Sequence, residues 1–503
     1  MKQMSRISIF LFPIPAKAEI YWQNKFRFLP SQECLKKLKF IFYIFFFFSS
    51  TISLSQTADD KYQKPLKEVL IEIEKRFEIK LKYKDELVNN KWVTYADWRF
   101  RPSLEKTFTN ILLPLDLMAV ESGENTYKIK KYRYPEISVK EGKEFLELYS
   151  TYYHDQNSWE KRKDSLRSCM YEALRLSQLP SKPNSKPIIT NKREKEGYTI
   201  ENIALETLPG LYVCGSIYKP AKIIGKIPVI LSPNGHFAEG RYGKYMQIRC
   251  AMLAKMGAVV INYDLFAYGE SLLQFQPEDH SRSLAMTIQA NNSIVLLNYI
   301  LSQDYADPEK VAITGGSGGG SQTMLITALD DRIKVSVPTV MLSSFFYGGC
   351  PCESGMPVHL CGKGTNNVEI ASMAAPRPQL IISDGGDWTR FVPDIEYPYV
   401  QRIYAFYNKT NMVSNAHFPK EGHDYGPSKR KAMYNFLAKH LGLNIDAVKN
   451  KNGEIDESTI EIEEESAMYV FGKEGELLPA NSIKSFEELE KMLEEYALKN
   501  NNN

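Results

Sequence analysis

Apolar and polar positions alternate with two different periods along this chain. In residues 60–131, apolar side chains recur at helical spacing in two stretches, and strand-like alternation follows or separates them. This pattern predicts a small α+β domain. Its predicted elements are two amphipathic helices, Lys64–Phe77 and a second one capped by Ser103, and three short strands, Ile79–Tyr83, Leu117–Val120 and Tyr127–Ile129.

A longer region, residues 140–445, alternates short buried strands with helices. Apolar runs of strand length end in turns rich in glycine, proline or asparagine, and amphipathic stretches separate them. This order predicts an α/β domain with a doubly wound, mostly parallel sheet. The predicted strands include Ile227–Ser232, Gly257–Asp264, Val311–Thr314, Ile333–Val340, Pro378–Ser383 and Met412–Phe418, and the helices include Tyr245–Lys255 and Ser428–Leu441.

One of these strands runs into a glycine-rich turn with a serine at its centre. The turn Gly315–Gly319 fits the G-x-S-x-G pattern of a nucleophile elbow, in which a strand turns sharply into a helix and presents a serine hydroxyl. Glycines flank the serine because side chains would collide in so tight a turn. Ser317 is therefore the predicted nucleophile, and the backbone N–H of Gly318 is predicted to face the oxyanion.

A serine nucleophile needs a histidine base and a carboxylate that orients the histidine, and after an elbow the acid precedes the histidine. Asp384 and Asp387 both follow the strand Pro378–Ser383. We prefer Asp387, because the extra residues let its side chain reach back, but the choice stays open. His423 is the preferred base, since it lies in a glycine-flanked loop, whereas His417 continues a strand.

The loop Pro233–His236 follows an apolar strand upstream of the elbow. It is predicted to supply a second oxyanion N–H, from Gly235 or His236. Two other roles are open to the His236 side chain, a hydrogen bond to the substrate or a cap on its own loop. Asp264, at the end of the next strand, is assigned a structural role as the anchor of its turn.

The predicted α/β domain shares five stretches with one group of enzymes: Leu208–Pro220, Gly315–Thr323, Ala374–Pro378, Asp384–Thr389 and Asn415–Gly426. Through them it resembles the bacterial acetylxylan-esterase-like branch of the α/β-hydrolases. The resemblance implies a triad of Ser317, Asp387 and His423, and small acyl esters, often on plant polysaccharides, as substrates. We expect the acyl-enzyme chemistry of this triad to require neither a metal nor an organic cofactor.

The helix–strand pattern of residues 60–131 resembles the small secretin and TonB N-terminal (STN) domain found on outer-membrane receptors. That resemblance implies a module that contacts another protein of the periplasm or the outer membrane. The alternative is a plain α+β domain that packs on the hydrolase and shields it.

The first 55 residues have the features of a secretory signal peptide. Lys36–Lys39 is basic, Phe40–Phe48 is a short apolar run, and small residues precede Gln56. The run is shorter than the roughly 20 residues that span a bilayer. We expect an exported protein, periplasmic or secreted. Because the signal begins late, we also expect Met1–Cys34 to be absent from the natural product; a long basic region is the alternative.

Seven cysteines are present, and three of them, Cys350, Cys352 and Cys361, lie in one loop-rich insertion. Export permits disulfides, so a bridge from Cys361 to Cys350 or Cys352 is one hypothesis. Free buried thiols are a second hypothesis, and a zinc site with His359 is a third. Because no matching second ligand pair accompanies the cluster, we predict no metal site.

The insertion follows the strand Ile333–Val340, where α/β-hydrolases often place a lid, and we assign residues 341–375 to a lid. Glu353 and His359 in the lid, and Trp388 beside the preferred acid, are candidates for substrate contacts. Glu353 and His359 are equally compatible with solvated positions in a loop.

Composition narrows the classes of function. With 63 basic and 60 acidic residues the chain is nearly neutral, and no basic stripe indicates a nucleic-acid partner. The serine at the centre of the elbow disfavours hydrolases with an aspartate nucleophile, such as dehalogenases. Residues 446–503 are predicted to form a C-terminal surface extension, whose helix Ser485–Ala497 docks on the body.

Together these features predict an exported serine esterase that releases small acyl groups, acetyl above all, from a polysaccharide or oligosaccharide such as xylan. The alternatives within the fold are an esterase for glucuronoyl methyl esters and a peptidase. The propeller domain that usually accompanies such peptidases does not fit in the chain before the hydrolase. An alternative of another class is a non-catalytic periplasmic binding or signalling component.

Overall fold

The computed structural model of the chain describes residues 62–115, 117–131, 136–237, 239–354 and 356–500. The predicted signal peptide, residues 1–55, lies outside these ranges. The chain divides into two compact units, Met1–Arg133 and Tyr134–Asn503. None of the helices in the described ranges is both long enough and apolar enough to cross a membrane.

The first unit contains the two helices and three strands predicted for it. Its first helix buries residues at the spacing i, i+3, i+4 and i+7, namely Leu66, Val69, Leu70 and Ile73. The unit also has two short strands and two short helices that were not predicted, because so few residues carry no periodic signal. The elements are β1 (Gln63–Pro65), α1 (Leu66–Phe77), β2 (Lys80–Lys82), α2 (Asp85–Val88), β3 (Trp92–Thr94), α3 (Ala96–Arg99), α4 (Leu104–Leu112), β4 (Leu117–Gly123) and β5 (Thr126–Lys131).

These strands form two small sheets. β1 pairs with β3 antiparallel, and β5 lies between β2, which is parallel to it, and β4, which is antiparallel. The unit is thus an α+β structure, and its resemblance to the STN domain stays a prediction.

The second unit contains a nine-stranded sheet with helices. Its strands are β6 (Ile188–Lys195), β7 (Tyr198–Leu208), β8 (Leu211–Pro220), β9 (Ile227–Pro233), β10 (Val259–Tyr263), β11 (Ala306–Gly316), β12 (Val335–Thr339), β13 (Gln379–Asp384) and β14 (Val413–Phe418). Its helices are α5 (Val139–Ser150), α6 (Gln156–Ala173), α7 (Lys244–Lys255), α8 (Ala285–Leu301), α9 (Gly318–Leu329), α10 (Pro351–Ser354), α11 (Met356–His359), α12 (Asn367–Ser372), α13 (Tyr397–Phe406), α14 (Pro427–Leu441), α15 (Glu465–Met468) and α16 (Phe486–Asn500).

The strand order is β14-β13-β12-β11-β9-β10-β8-β7-β6. The strands from β10 to β14 pair in parallel, and β8, β7 and β6 continue the sheet antiparallel. The predicted α/β-hydrolase fold with a mostly parallel sheet is confirmed. Because the carboxyl ends of the parallel strands meet at one edge, the loops that follow them lie near one another.

Successive residues of the central strands enter two different cores. In β9, Val229 and Leu231 pack on one face of the sheet, whereas Ile230 packs on the other. In β10, Val259 and Ile261 likewise pack on one face of the sheet, and Val260 packs on the other. Side chains alternate between the faces of a strand, and here both faces are covered, which is why these strands read as continuous apolar runs.

The residues after Leu441 differ from the predicted surface extension. Val470 and Phe471 are 2% and 1% exposed and pack with Tyr212 of β8. Their backbone N–H groups donate to the buried carboxylate of Glu270. This segment therefore completes the core, and the predicted docking of the last helix is found as well, because α16 buries Phe486, Leu489 and Leu493.

The disulfide hypothesis for Cys361 is wrong in its partner. Cys361 pairs with Cys169 of α6, at a sequence separation of 192 residues, and not with Cys350 or Cys352. The reason is tertiary packing, since α6 runs beside the segment that follows Cys361. Arg162, also on α6, donates to the carbonyl of Gly364.

Candidate active site

Ser317 lies at the sharp turn between β11 and α9. Its backbone has φ 55° and ψ −123°, a conformation that residues other than glycine rarely adopt. The turn is possible only because its neighbours lack side chains: a Cβ at Gly315 would lie 2.6 Å from the backbone of Gly319. The sequence thus forms the predicted elbow, and the Ser317 hydroxyl is held at the end of its strand.

Three predicted residues meet at this turn in a chain of hydrogen bonds. His423 Nε2 lies 3.0 Å from Ser317 Oγ, and His423 Nδ1 lies 2.6 Å from Asp387 Oδ2. A carboxylate only accepts, so Nδ1 carries the proton and Nε2 is left to accept from the serine hydroxyl. The other carboxylate oxygen of Asp387 accepts from the backbone and the hydroxyl of Thr389, both at 2.6 Å. This arrangement is able to take a proton from Ser317.

The alternative acid and base have other partners. Asp384 accepts from the Lys429 ammonium at 2.8 Å, and both side chains are fully buried. It also accepts from the backbone N–H of Asp387 at 3.1 Å, so it supports the loop that carries the other acid. His417 lies on β14 and bonds through Nδ1 to Ser383 Oγ at 2.8 Å. Asp387 and His423 are therefore the pair in contact, and their catalytic roles stay predictions.

The predicted oxyanion loop runs past the elbow. A Cβ at Gly235 would lie 3.2 Å from Ser317 Cβ, and a Cβ at Gly318 would lie 2.7 Å from His236 Cε1. Gly318 is the first residue of α9, whose first N–H groups have no partner within the helix. The predicted donors thus lie beside the serine, and the oxyanion assignment stays a prediction. Asp264 binds Arg241 at 2.9 Å and the backbone of Glu270 at 3.0 Å, as expected of a turn anchor.

Comparison with known proteins assigns the family. A solved structure, methylesterase BT1017, is 47% identical to this chain, covers 89% of it, is itself covered over 100% of its length, and superposes with a TM-score of 0.80. The chain belongs to the family of this methylesterase.

Other relatives are more distant. The "Putative hydrolase YtaP" of Bacillus subtilis (strain 168) is 25% identical, with 39% of this chain and 74% of that protein covered. A solved glucuronoyl esterase from Solibacter usitatus is 13% identical, covers 57% of this chain and 94% of its own, and has a TM-score of 0.42, from which no shared substrate is inferred. No family model matches the chain. The fold and the methylesterase relative together make this chain a hydrolase of the esterase type.

Of the three candidates for substrate contacts, Trp388 lies beside the predicted triad. Its ring centroid is 4.6 Å from that of His423 and 4.2 Å from that of Phe346. His359 is buried within the lid segment, where its Nε2 lies 3.1 Å from Asn367 Oδ1. Burial lowers the pKa of His359 to about 4, so its ring is neutral near pH 7.

Glu353 is buried and faces the oxyanion loop. Its carboxylate accepts from the backbone N–H of Gly349 at 2.6 Å and lies 3.4 Å from His236 Nδ1. A Cβ at Gly318 would lie 3.1 Å from Glu353 Oε1. Glu353 is thus a neighbour of the elbow through His236, and not a solvated loop residue.

Sequence reasoning missed a second cluster, in which His236 meets His280, Cys350 and Cys352. The C-x-C spacing in the lid was a signal, but nothing local linked it to histidines in other loops. Burial lowers the pKa of His236, yet hydrogen bonds with Cys350 and Glu353 outweigh it and raise that pKa to about 10. A hydrogen bond with Cys352, aided by both histidines, lowers the pKa of Cys350.

Proposed function

We propose that this chain is an exported serine methylesterase that hydrolyses the methyl ester of a carboxylated carbohydrate. The observation that carries the serine mechanism is the separation of 3.0 Å between Ser317 Oγ and His423 Nε2, with Asp387 on the other ring nitrogen. The methyl ester is supported by the relative of 47% identity that is named a methylesterase. A methyl ester is therefore the first substrate to test, in place of the acetyl ester that the sequence resemblance implied.

Two observations support a carbohydrate as the acid component. The sequence resembles esterases that act on plant polysaccharides, and Trp388 and Phe346 form an aromatic wall beside His423. Flat aromatic side chains offer an apolar face against which the C–H groups of a sugar ring pack. A uronic acid methyl ester would then place its ester at the triad while its ring contacts this wall.

The proposed reaction has two steps. Ser317 Oγ attacks the ester carbonyl as His423 takes its proton, and the oxyanion is held by the N–H groups of Gly318 and of Gly235 or His236. Methanol leaves with the proton that His423 returns. Water then attacks the acyl-enzyme, again with His423 as base, and releases the free carboxylate and Ser317.

Export and the partner of the first unit are also proposals. The bond between Cys169 and Cys361 supports an oxidising compartment such as the periplasm. The proposed partner of residues 62–131 is a protein of the periplasm or the outer membrane, as the resemblance to the STN domain implies.

The test is product release by the purified full-length protein, measured side by side on three substrates. These are a methyl-esterified polyuronate, acetylated xylan and p-nitrophenyl acetate. Ser317→Ala serves as the inactive variant, and Ser302→Ala, at the exposed end of α8, serves as the matched control. Methanol release that is lost only in Ser317→Ala supports the proposal.

Each other outcome identifies an alternative. Acetate release from xylan without methanol release would replace the methylesterase by the acetyl esterase. Activity on the small ester alone would keep the serine esterase and reject both carbohydrates. Full inactivity on all three substrates would favour the non-catalytic binding component.

A further inference from the structure

Three loops at one edge of the sheet bring two histidines and two cysteines together. His236 follows β9, His280 follows β10, and Cys350 and Cys352 lie in the segment after β12. One ligand atom from each lies within 4.8 Å of all the others. His280 and Cys352 are buried, and the other two are partly exposed. The ester hydrolysis proposed above uses none of these four side chains as acid, base or nucleophile.

The hydrogen bonds of the two histidines leave their Nε2 atoms facing each other. His280 Nδ1 lies 2.6 Å from the carbonyl oxygen of Phe266, which only accepts, so this nitrogen carries the proton. His236 Nδ1 lies 3.4 Å from the Glu353 carboxylate, which favours a proton there as well. The two Nε2 atoms are 2.7 Å apart. Two nitrogen lone pairs at this distance repel unless a proton or a cation lies between them.

The two sulfur atoms converge on the same point. His236 Nε2 lies 3.2 Å from Cys352 Sγ and 3.4 Å from Cys350 Sγ, and His280 Nε2 lies 3.5 Å from Cys350 Sγ. Tetrahedral zinc, with its usual bonds to sulfur and nitrogen, separates such ligand atoms by about 3.6 Å, and two nitrogens by about 3.3 Å. Three of the four sulfur–nitrogen distances lie within about 0.4 Å of this value, and the two nitrogens need to separate by only about 0.6 Å.

We propose that His236, His280, Cys350 and Cys352 form a closed Cys₂His₂ site for a structural zinc ion. All four ligands come from the protein, as in structural rather than catalytic zinc sites. The carbonyl of Phe266 and the carboxylate of Glu353 orient the two rings, which is the usual arrangement around metal-bound histidines. This site differs from the zinc hypothesis of the sequence, because His359 bonds to Asn367 instead.

The zinc ion would join the predicted oxyanion loop to the lid. The His236 ring lies against Gly318, where a Cβ would be 2.7 Å from its Cε1, so the position of this ring bears on the backbone that follows Ser317. The ion therefore positions the site and takes no part in the reaction. The proposal does not depend on which ester is hydrolysed, because its test measures bound metal.

The first experiment measures metal in the full-length protein from zinc-supplemented medium by elemental mass spectrometry. We expect about one zinc per chain in the wild type. We expect loss of zinc in Cys352→Ala and in Cys350→Ser. Cys214→Ala is the matched control, because Cys214 is a buried free cysteine outside the cluster, and it retains zinc. Glu353→Gln keeps all four ligands and should weaken zinc binding about 10- to 100-fold.

A second experiment needs no variant, so it holds even if a variant fails to fold. Zinc is removed from the wild type with a chelator and replaced by Co²⁺. Intense visible bands and a sulfur-to-cobalt charge-transfer band are expected, together with a higher midpoint of thermal unfolding after zinc is restored.

Three results would overturn the proposal. One is a wild type without zinc that takes up no Co²⁺, which would leave a proton between the two rings. Another is thiol labelling in denaturant, after chelation, that modifies Cys214 and Cys250 but neither Cys350 nor Cys352, because Cys350 and Cys352 would then be bonded to each other. The last is zinc retained in full by Cys350→Ser and Cys352→Ala, which would place the metal elsewhere.

Discussion

Asp384 and Asp387 are three residues apart in the chain, and their carboxylates have different partners. Asp387 contacts the predicted base, with Oδ2 at 2.6 Å from His423 Nδ1. Asp384 instead neutralises Lys429, whose side chain is fully buried. Replacing each aspartate with asparagine removes one negative charge and little volume. The pair of variants therefore separates a defect in turnover from a defect in stability.

We expect Asp387→Asn to lower kcat by about 10⁴-fold, which is about 5.4 kcal/mol of transition-state stabilisation. An asparagine amide that donates to Nδ1 selects the tautomer with the proton on Nε2, and that nitrogen is then unable to accept from Ser317. Its free energy of unfolding should change by no more than about 1 kcal/mol, because the amide keeps the contacts with Thr389.

We expect Asp384→Asn to be unstable rather than inactive. Removing one partner of a buried ion pair costs about 3–5 kcal/mol, and the lower end applies because Asp424 still binds Lys429 at 2.8 Å. Its kcat should remain within about tenfold of the wild type. Urea unfolding and steady-state rates on p-nitrophenyl acetate measure the two quantities. A 10⁴-fold loss in Asp384→Asn with wild-type rates in Asp387→Asn would refute this assignment.

Three further changes test other parts of the structure. Gly318→Ala places a Cβ 2.7 Å from His236 Cε1 and should lower kcat by about 10²-fold or more. Gly349→Ala is the control: its Cβ meets its nearest neighbour at 3.7 Å, and its kcat should not fall in this way. Because burial holds the pKa of His359 at about 4, unfolding takes up a proton below about pH 6.5, and the free energy of unfolding should fall by about 3 kcal/mol as the pH drops from 6.5 to 4. Urea unfolding of His359→Gln should show a correspondingly smaller fall over this pH range. An equal fall in the variant would contradict the buried neutral ring. The double variant Cys169→Ala, Cys361→Ala should lose about 2–5 kcal/mol in urea unfolding, and an unchanged midpoint would contradict the disulfide.

Local patterns were enough to predict the α/β sheet, the elbow at Ser317, and the order along the chain of the carboxylate and the histidine that meet it. Each of these depends on residues close in sequence, such as the glycines around Ser317, which permit a turn with φ 55°. The two helices and three strands of the first unit were predictable for the same reason, since periodicity is a property of neighbouring residues.

Contacts between distant segments came only with the tertiary structure. The partner of Cys361 is 192 residues away, and no spacing rule distinguishes Cys169 from the nearer Cys350 or Cys352. Which of Asp384 and Asp387 contacts His423 depended on where a short loop turns after β13.

The cluster of His236, His280, Cys350 and Cys352 also joins distant segments, and it depends on the order of the strands in the sheet. Its loops follow β9, β10 and β12, and they meet because parallel strands place their carboxyl ends along one edge. The chain alone specifies which residues are chemically able to bind a proton or a metal. Which of them meet is decided by the order in which the strands pair, because that order sets the distance between their ends.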